Sequence, residues 1–293
     1  MNIYDGFMYY DEDLILDLRL NLLNEFVKKF IIVESNYTHS GKKRKLNFDI
    51  RNFSKFKNKI HYIIVDTLPK NILKLQTSDN EHQTNSKILD NALARENYHR
   101  DKIHLGLDDC HDDDVIIVSD IDEIPNLVNF QHTGKISIFL QKMFYYKFNL
   151  KHPTLTWVGS KACKKKDFIS PQWLRNIKAK KYNLWRLDVL LSKKKYFNLN
   201  FIKNGGWHFT SIKKPEDIHY KLSNFLHHLE YEKSETTLET LTSLINEKKV
   251  LYDHNADKRN NKWNSSISLI KVEDNELPAY LINNKNKYIN FID

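Results

Sequence analysis

The chain has 293 residues, with 46 Lys and Arg against 37 Asp and Glu, for a net charge of +9. Its length suits one large α/β domain or two small ones. No apolar run reaches the roughly 20 residues that span a bilayer. Cys110 and Cys163 lie far apart, with no zinc or redox spacing.

Met1 leads directly into a strand-like segment, which leaves no room for a signal peptide, so a cytoplasmic protein is expected. Ile3 to Phe7 reads as the first strand. Asp11 and Asp13 are placed to cap a helix running to about Phe30, with Ile15, Leu18, Leu22, Leu23, Phe26 and Phe30 at helical spacing. Ile31-Ile32-Val33 is a second buried strand ending at Glu34-Ser35. A polar, basic loop follows, through Thr38, His39, Gly41 and Lys42 to Lys45. Ile60 to Val65 is a third strand, and the polar stretch Gln76 to Ser86 leads into a helix from about Lys87 to Leu107. Val115 to Val118 completes a β-α-β-β-α-β order, which argues for a mainly parallel sheet with helices on both faces.

After Pro125, Ile136 to Phe148 and Leu184 to Leu191 are strand-like, and Pro171 to Ile177 is a short helix. Asn204 to Phe209 reads as a turn that exposes an aromatic ring and an imidazole. Pro215 begins a helix to about Leu229, and Leu238 to Lys248 forms another. Lacking repeats and long linkers, the chain is taken as a single domain, 1–293, with a first half at 1–125 and a basic half at 126–293. Residues 151–214 carry 16 basic and 2 acidic side chains, against 20 and 22 in 1–150 and 10 and 13 in 215–293. The whole positive excess sits in that one segment. It predicts an anionic partner such as a sugar nucleotide, an acidic glycan, a phospholipid surface or nucleic acid, unless it is only a solvated lysine face.

Most of the chemistry is concentrated in Val115-Ile116-Ile117-Val118-Ser119-Asp120-Ile121-Asp122-Glu123-Ile124-Pro125. Four apolar residues form a strand, and three carboxylates follow at its carboxyl end, where open α/β sheets bind ligands. Crowded carboxylates repel, and a hard divalent cation on Asp120 and Asp122 is the simplest way to neutralise them. The alternative is an acidic loop that caps the next helix.

Asp5-Gly6-Phe7, Asp17-Leu18-Arg19-Leu20, Val33-Glu34-Ser35-Asn36-Tyr37-Thr38 and Asp113 through Pro125 resemble glycosyltransferase family 17. Gly206-Trp207-His208-Phe209, Pro215-Glu216-Asp217-Ile218 with Lys221-Leu222, and Leu277-Pro278-Ala279-Tyr280-Leu281 continue the resemblance in the same order. Thr156 to Lys203 does not align with the family. The family includes a β-1,4-mannosyl-glycoprotein N-acetylglucosaminyltransferase, but an N-glycan acceptor does not carry over.

The resemblance implies a GT-A glycosyltransferase fold, with a Rossmann-like, mixed, mostly parallel sheet flanked by helices. It also implies an inverting transfer from a UDP-sugar donor without settling the sugar or the acceptor; together with the carboxylates, the expectation is a metal-dependent transfer of N-acetylglucosamine to a glycan or lipid-linked glycan. Manganese, or else magnesium, would sit on Asp120, Asp122 and His208 and act as a Lewis acid on the leaving diphosphate. Glu123 and Asp188 are the candidates for the general base. Asp5, Glu34, Arg95, Arg100, Asp120 and Trp207 would bind the donor, with His39 and Gly41 covering it and Trp157 or Tyr145 stacking on sugar rings. Peripheral contact with an anionic inner membrane face is compatible with the charge, and no nucleic acid is expected as partner. Two other readings remain open: a phosphohydrolase using the same aspartates, and a non-catalytic basic module.

Overall fold

A computed structural model describes residues 1–225, 228–254, 263 and 267–293. The strands are β1 (Ile3–Met8), β2 (Lys29–Ser35), β3 (Ile60–Val65), β4 (Val115–Asp120), β5 (Glu123–Pro125), β6 (Ile136–Tyr145), β7 (Leu150–Lys164), β8 (Leu199–Ile202), β9 (Gly206–Thr210) and β10 (Ile270–Lys271). The helices are α1 (Asp13–Leu23), α2 (Glu81–Asp101), α3 (Pro171–Asn176), α4 (Leu187–Leu190), α5 (Pro215–Leu222), α6 (His228–Lys233), α7 (Leu238–Asn246), α8 (Ala279–Asn283) and α9 (Lys285–Tyr288).

The strands form one curled, mixed sheet in the order β3-β2-β1-β4-β7-β6-β9-β5, with β8 on β6 and β10 on β7. Strands β3, β2, β1 and β4 are parallel, and β7 runs antiparallel to β4. This is the Rossmann-like arrangement expected of a glycosyltransferase. Strands β2 and β4 have unbroken apolar centres because both of their faces are covered, whereas the edge strand β3 leaves His61 and Ile64 exposed. Phe30, Ile32, Val115 and Ile117 pack with Ile15, Leu16 and Leu18 of α1 on one face. Ile31, Val33, Ile116 and Val118 pack with Ile103, Trp173 and Leu174 on the other. A third core, around Met143, Tyr145, Ile218 and Leu241, joins α5 and α7 to β6.

Several boundaries differ from expectation. The first helix ends at Leu23, and Phe30 belongs to β2. Phe30 is spaced like a helix residue, yet it is the strand that buries it. Asp11 and Asp13 do not cap α1, whose N-cap position is Glu12. Helix α2 starts earlier, where Asn80 and Gln83 form a reciprocal capping box, and it gives way to a tighter turn at Lys102–Gly106. The 15-residue β7 lies in the lysine-rich segment, where frequent Lys masked its alternation. Leu184–Leu191 is an exposed turn of helix rather than a strand, and Asn204–Phe209 leads into β9 instead of forming an exposed turn. The helix from Pro215 ends at Leu222, and part of its expected continuation, 226–227, lies outside the described residues. Among the described residues no helix is long and apolar enough to cross a membrane.

Candidate active site

In the order β3-β2-β1-β4 the chain direction of strand addition reverses between β1 and β4. The carboxyl ends of strands splay apart at such a switch point and leave a crevice. Here that crevice is a cavity of about 370 Å³, bounded by Met8, Tyr9 and Tyr10 after β1 and by Asp120, Ile121 and Asp122 after β4.

The acidic turn is fastened from beneath by Arg19 of α1. Its side chain is fully buried, and its guanidinium donates to both Asp5 carboxylate oxygens at 2.6 and 2.8 Å. The same group donates to the carbonyls of Asp120 (3.3 Å), Ile121 (3.1 Å) and Glu123 (2.8 Å). Asp5 is therefore the counter-ion of Arg19, and it lies outside the cavity lining.

Strand β5 pairs with β9 and sets Glu123 opposite His208 and Pro125 opposite Gly206. Gly206 has φ +122°, and a Cβ there would lie 2.1 Å from the Ile124 carbonyl oxygen, so only glycine permits this approach. His208 Nε2 stands 3.5 Å from Asp122 Oδ1, and Trp157 lies over the imidazole with ring centroids 4.6 Å apart. Burial opposes charge on both Asp122 and His208, but each stabilises the other's ion. The Asp122 pKa falls below the carboxylate norm and that of His208 rises above its own.

Asp120 faces a different set. Arg100 and Arg175 each lie 3.1 Å from one of its carboxylate oxygens. They outweigh the effect of burial and hold its pKa well below the usual range. Arg175 also donates to both oxygens of the fully buried Glu123, which accepts from Trp157 Nε1 (2.7 Å) and the Asp120 amide (3.1 Å) as well. Lys221 of α5 lines the cavity, 3.2 Å from Glu12; Glu12 and Asp122 outweigh burial and raise its pKa. Cavity-lining groups that keep a buried polar atom with no partner among the described residues include His39 Nδ1, Glu96 Oε2, His99 Nε2, Arg100 Nε and His208 Nδ1. Each such atom costs about 1–3 kcal/mol, which a polar ligand would offset.

The family model of glycosyltransferase family 17 matches residues 1–166. The chain belongs to glycosyltransferase family 17. No curated protein matches it. It is thus a glycosyltransferase, moving a sugar from a donor to a glycan acceptor, and this sets aside the phosphohydrolase and non-catalytic readings. Arg175, His208 and Lys221 lie beyond the matched residues, so the second part of the transferase completes the site.

The structure gathers Arg100, Asp120, Asp122 and His208 around one cavity, with Glu123 directly behind them. The other expected residues have other places. Glu34 is buried and accepts from the Asn47 and Phe48 amides and Tyr62 Oη while pairing with Arg44, so it anchors the basic loop. Arg95 donates to the His39 carbonyl at 2.9 Å and props the same loop from outside the lining. Trp207 turns away, its Nε1 donating to the Glu276 carbonyl at 2.8 Å. Asp188 is exposed, paired with Arg186 and Lys195, and lies outside the cavity. Neither Glu123 nor Asp188 presents a free carboxylate to the cavity.

Lys161 of β7 supports this arrangement from behind. Its buried amine donates to the carbonyls of Arg175 and Ile177 at the end of α3. Burial, reinforced by Arg175, lowers its pKa to about 7. An unfolded lysine titrates near 10.4, so between these values the unfolded chain binds more protons and stability rises with pH. From pH 7 to 9 the wild type should gain about 2 kcal/mol relative to Lys161→Met, read from urea midpoints. A pH-independent difference would mean that Lys161 keeps its proton in the fold.

Proposed function

We propose that this protein is an inverting, divalent-metal-dependent transferase that moves N-acetylglucosamine, or a closely similar sugar, from its UDP donor to a glycan acceptor. The observation that carries the reading is the cavity at the β1/β4 switch point, where Asp120, Asp122 and His208 meet Arg100 and Lys221.

Transfer joins an acceptor hydroxyl to the anomeric carbon while the bond from that carbon to the diphosphate breaks. The leaving group gains negative charge as it departs. Fixed cations aimed at that charge lower the barrier because they need no reorganisation during the step. Arg100 and Lys221 are such cations on the cavity wall, and Arg175 stands immediately behind Asp120. His39 and His99 stay neutral, since burial lowers both their pKa values, that of His99 to about 3. They offer hydrogen bonds to the nucleotide without adding charge.

The donor chemistry of the acidic turn fits a divalent ion in part. Asp122 and His208 supply facing oxygen and nitrogen donors, and His208 Nδ1 has no partner among the described residues. Asp120 has an arginine on each oxygen, and no group of three acidic, His or Cys side chains among the described residues is arranged to hold an ion. Asp122 and His208 would therefore hold the metal with the donor's own phosphates, and Asp120 would orient Arg100 and Arg175. Bound there, the ion would supply Lewis acidity to the diphosphate.

Calorimetry with a panel of UDP-sugars, with manganese, with magnesium and with chelator, tests the reading. UDP-N-acetylglucosamine is expected to bind with metal and at least about tenfold more weakly with chelator. Equal affinity with chelator would remove the metal, and no UDP-sugar binding under any condition would remove the donor assignment.

A further inference from the structure

Between α3 and β8 the chain leaves the body of the fold and returns to it. The Lys178 amide donates to the Lys194 carbonyl at 2.7 Å, and Trp173 Nε1 donates to the Lys193 carbonyl at 2.8 Å, so the two ends of the loop are tied together. Such closed loops project as units from a rigid base. The stem is fixed from inside by Lys161, through the carbonyls of Arg175 and Ile177.

The tip has a composition that water does not favour. Leu184, Trp185, Leu187, Leu190 and Leu191 are all exposed, Leu191 at 90 % and Leu184 at 82 %. Within 184–191 only Val189 is buried. Single exposed apolar residues are ordinary, but a contiguous group of this size marks a surface that meets something apolar. Cations flank it in the sequence: Lys178, Lys180, Lys181, Arg186, Lys193 and Lys194 are exposed. Asp188, the one acid of the loop, is neutralised by Arg186 and Lys195.

We propose that the 178–194 loop docks the protein on an anionic lipid surface, inserting Leu184, Trp185, Leu187, Leu190 and Leu191 between headgroups while the lysines meet lipid phosphates. The charge complementarity is specific to this place, because the whole positive excess of the chain lies in 151–214. Lysines alone would serve any polyanion, nucleic acid included. Exposed leucines and a tryptophan flanked by cations suit a surface with acyl chains directly beneath its charge. A protein partner would need acidic groups matched to both basic flanks of an apolar centre, whereas a lipid surface offers phosphates wherever the lysines fall. The inference is independent of the donor and the metal.

The test is sedimentation of the full chain with phosphatidylcholine vesicles, either pure or containing about a third of phosphatidylglycerol. The wild type should partition onto the anionic vesicles and be released as salt rises. The triple variant Leu184→Ser/Trp185→Ser/Leu191→Ser changes only exposed side chains and should keep the wild-type circular dichroism. Its partition coefficient should fall by at least about tenfold, since the inserted apolar area is lost. Asp122→Ala should partition like the wild type, which keeps this question separate from catalysis. Absence of vesicle binding, or equal partition of wild type and triple variant, overturns the proposal. So does a dimer seen by light scattering that the triple variant dissolves without any lipid binding, which would assign the face to a second copy of the chain.

Discussion

Asp122→Ala should lose transferase activity by about 10²–10³-fold or more in kcat while keeping its melting temperature within a few degrees. The Asp122 carboxylate is only 13 % exposed, and among the described residues its one ion pair is with His208 at 3.5 Å, longer than most hydrogen bonds. Little of the fold hangs on that contact. The carboxylate is instead positioned for what enters the cavity. Removing it also removes the group that does most to raise the His208 pKa against the effect of burial. A progress curve with UDP-N-acetylglucosamine and a thermal melt of the same sample give both readouts. Turnover within tenfold of wild type would sink the role given to Asp122, and a collapsed melt would show that the residue is structural.

Arg19→Met should have the largest effect on stability. The substitution strands Asp5, which is completely buried, without its cation, and breaking a buried pair in this way costs about 3–5 kcal/mol. It also deprives the Asp120, Ile121 and Glu123 carbonyls of their shared donor. The melting temperature should fall by roughly 6–15 °C, at about 2–3 °C per kcal/mol for a chain of this size. The double variant Arg19→Met/Asp5→Leu replaces both charges with apolar groups and should regain most of that loss. Turnover should not return, because the acidic turn would still lack its fastening. A double variant that recovers both stability and activity would show that Arg19 serves only Asp5.

Strands β2 and β4 were legible because each is buried on both faces and so holds an unbroken apolar run, Phe30 to Val33 and Val115 to Val118. The carboxylates after Val118 were legible for the complementary reason, that nothing in a structural strand calls for them. Three kinds of feature were not legible. Asp5 and Glu34 look like ligand-binding groups, since both are acids in buried strands, but each has an arginine partner that only the folded chain brings near. Strand β7 was hidden because its lysines reach out of the sheet, or in Lys161 reach carbonyls, and so blur the alternation. Arg175 lies in the segment that did not align with the family. A signal for it was nevertheless present: the chain has eight arginines against 38 lysines, so each arginine stands out against the background. Arg19, Arg44, Arg95, Arg100 and Arg175 all support or line the site. Forked, planar pairing with carboxylates is what lysine cannot supply.

The pairing of β5 with β9 bears on when the protein becomes active during its own synthesis. The residues through Pro125 emerge from the ribosome first and contain the acids of the turn. The groups that neutralise them, Arg175, His208 and Lys221, arrive only with later strands and helices. A nascent chain that has reached the end of β7 thus holds a cluster of like charges and lacks three of the positive side chains that will face it. Repulsion within the turn should keep this part of the sheet open until β9 docks. Docking of β9 brings His208 opposite Glu123, and α5, which follows it, brings Lys221, so that a chain released before α5 would carry the acidic motif without either group.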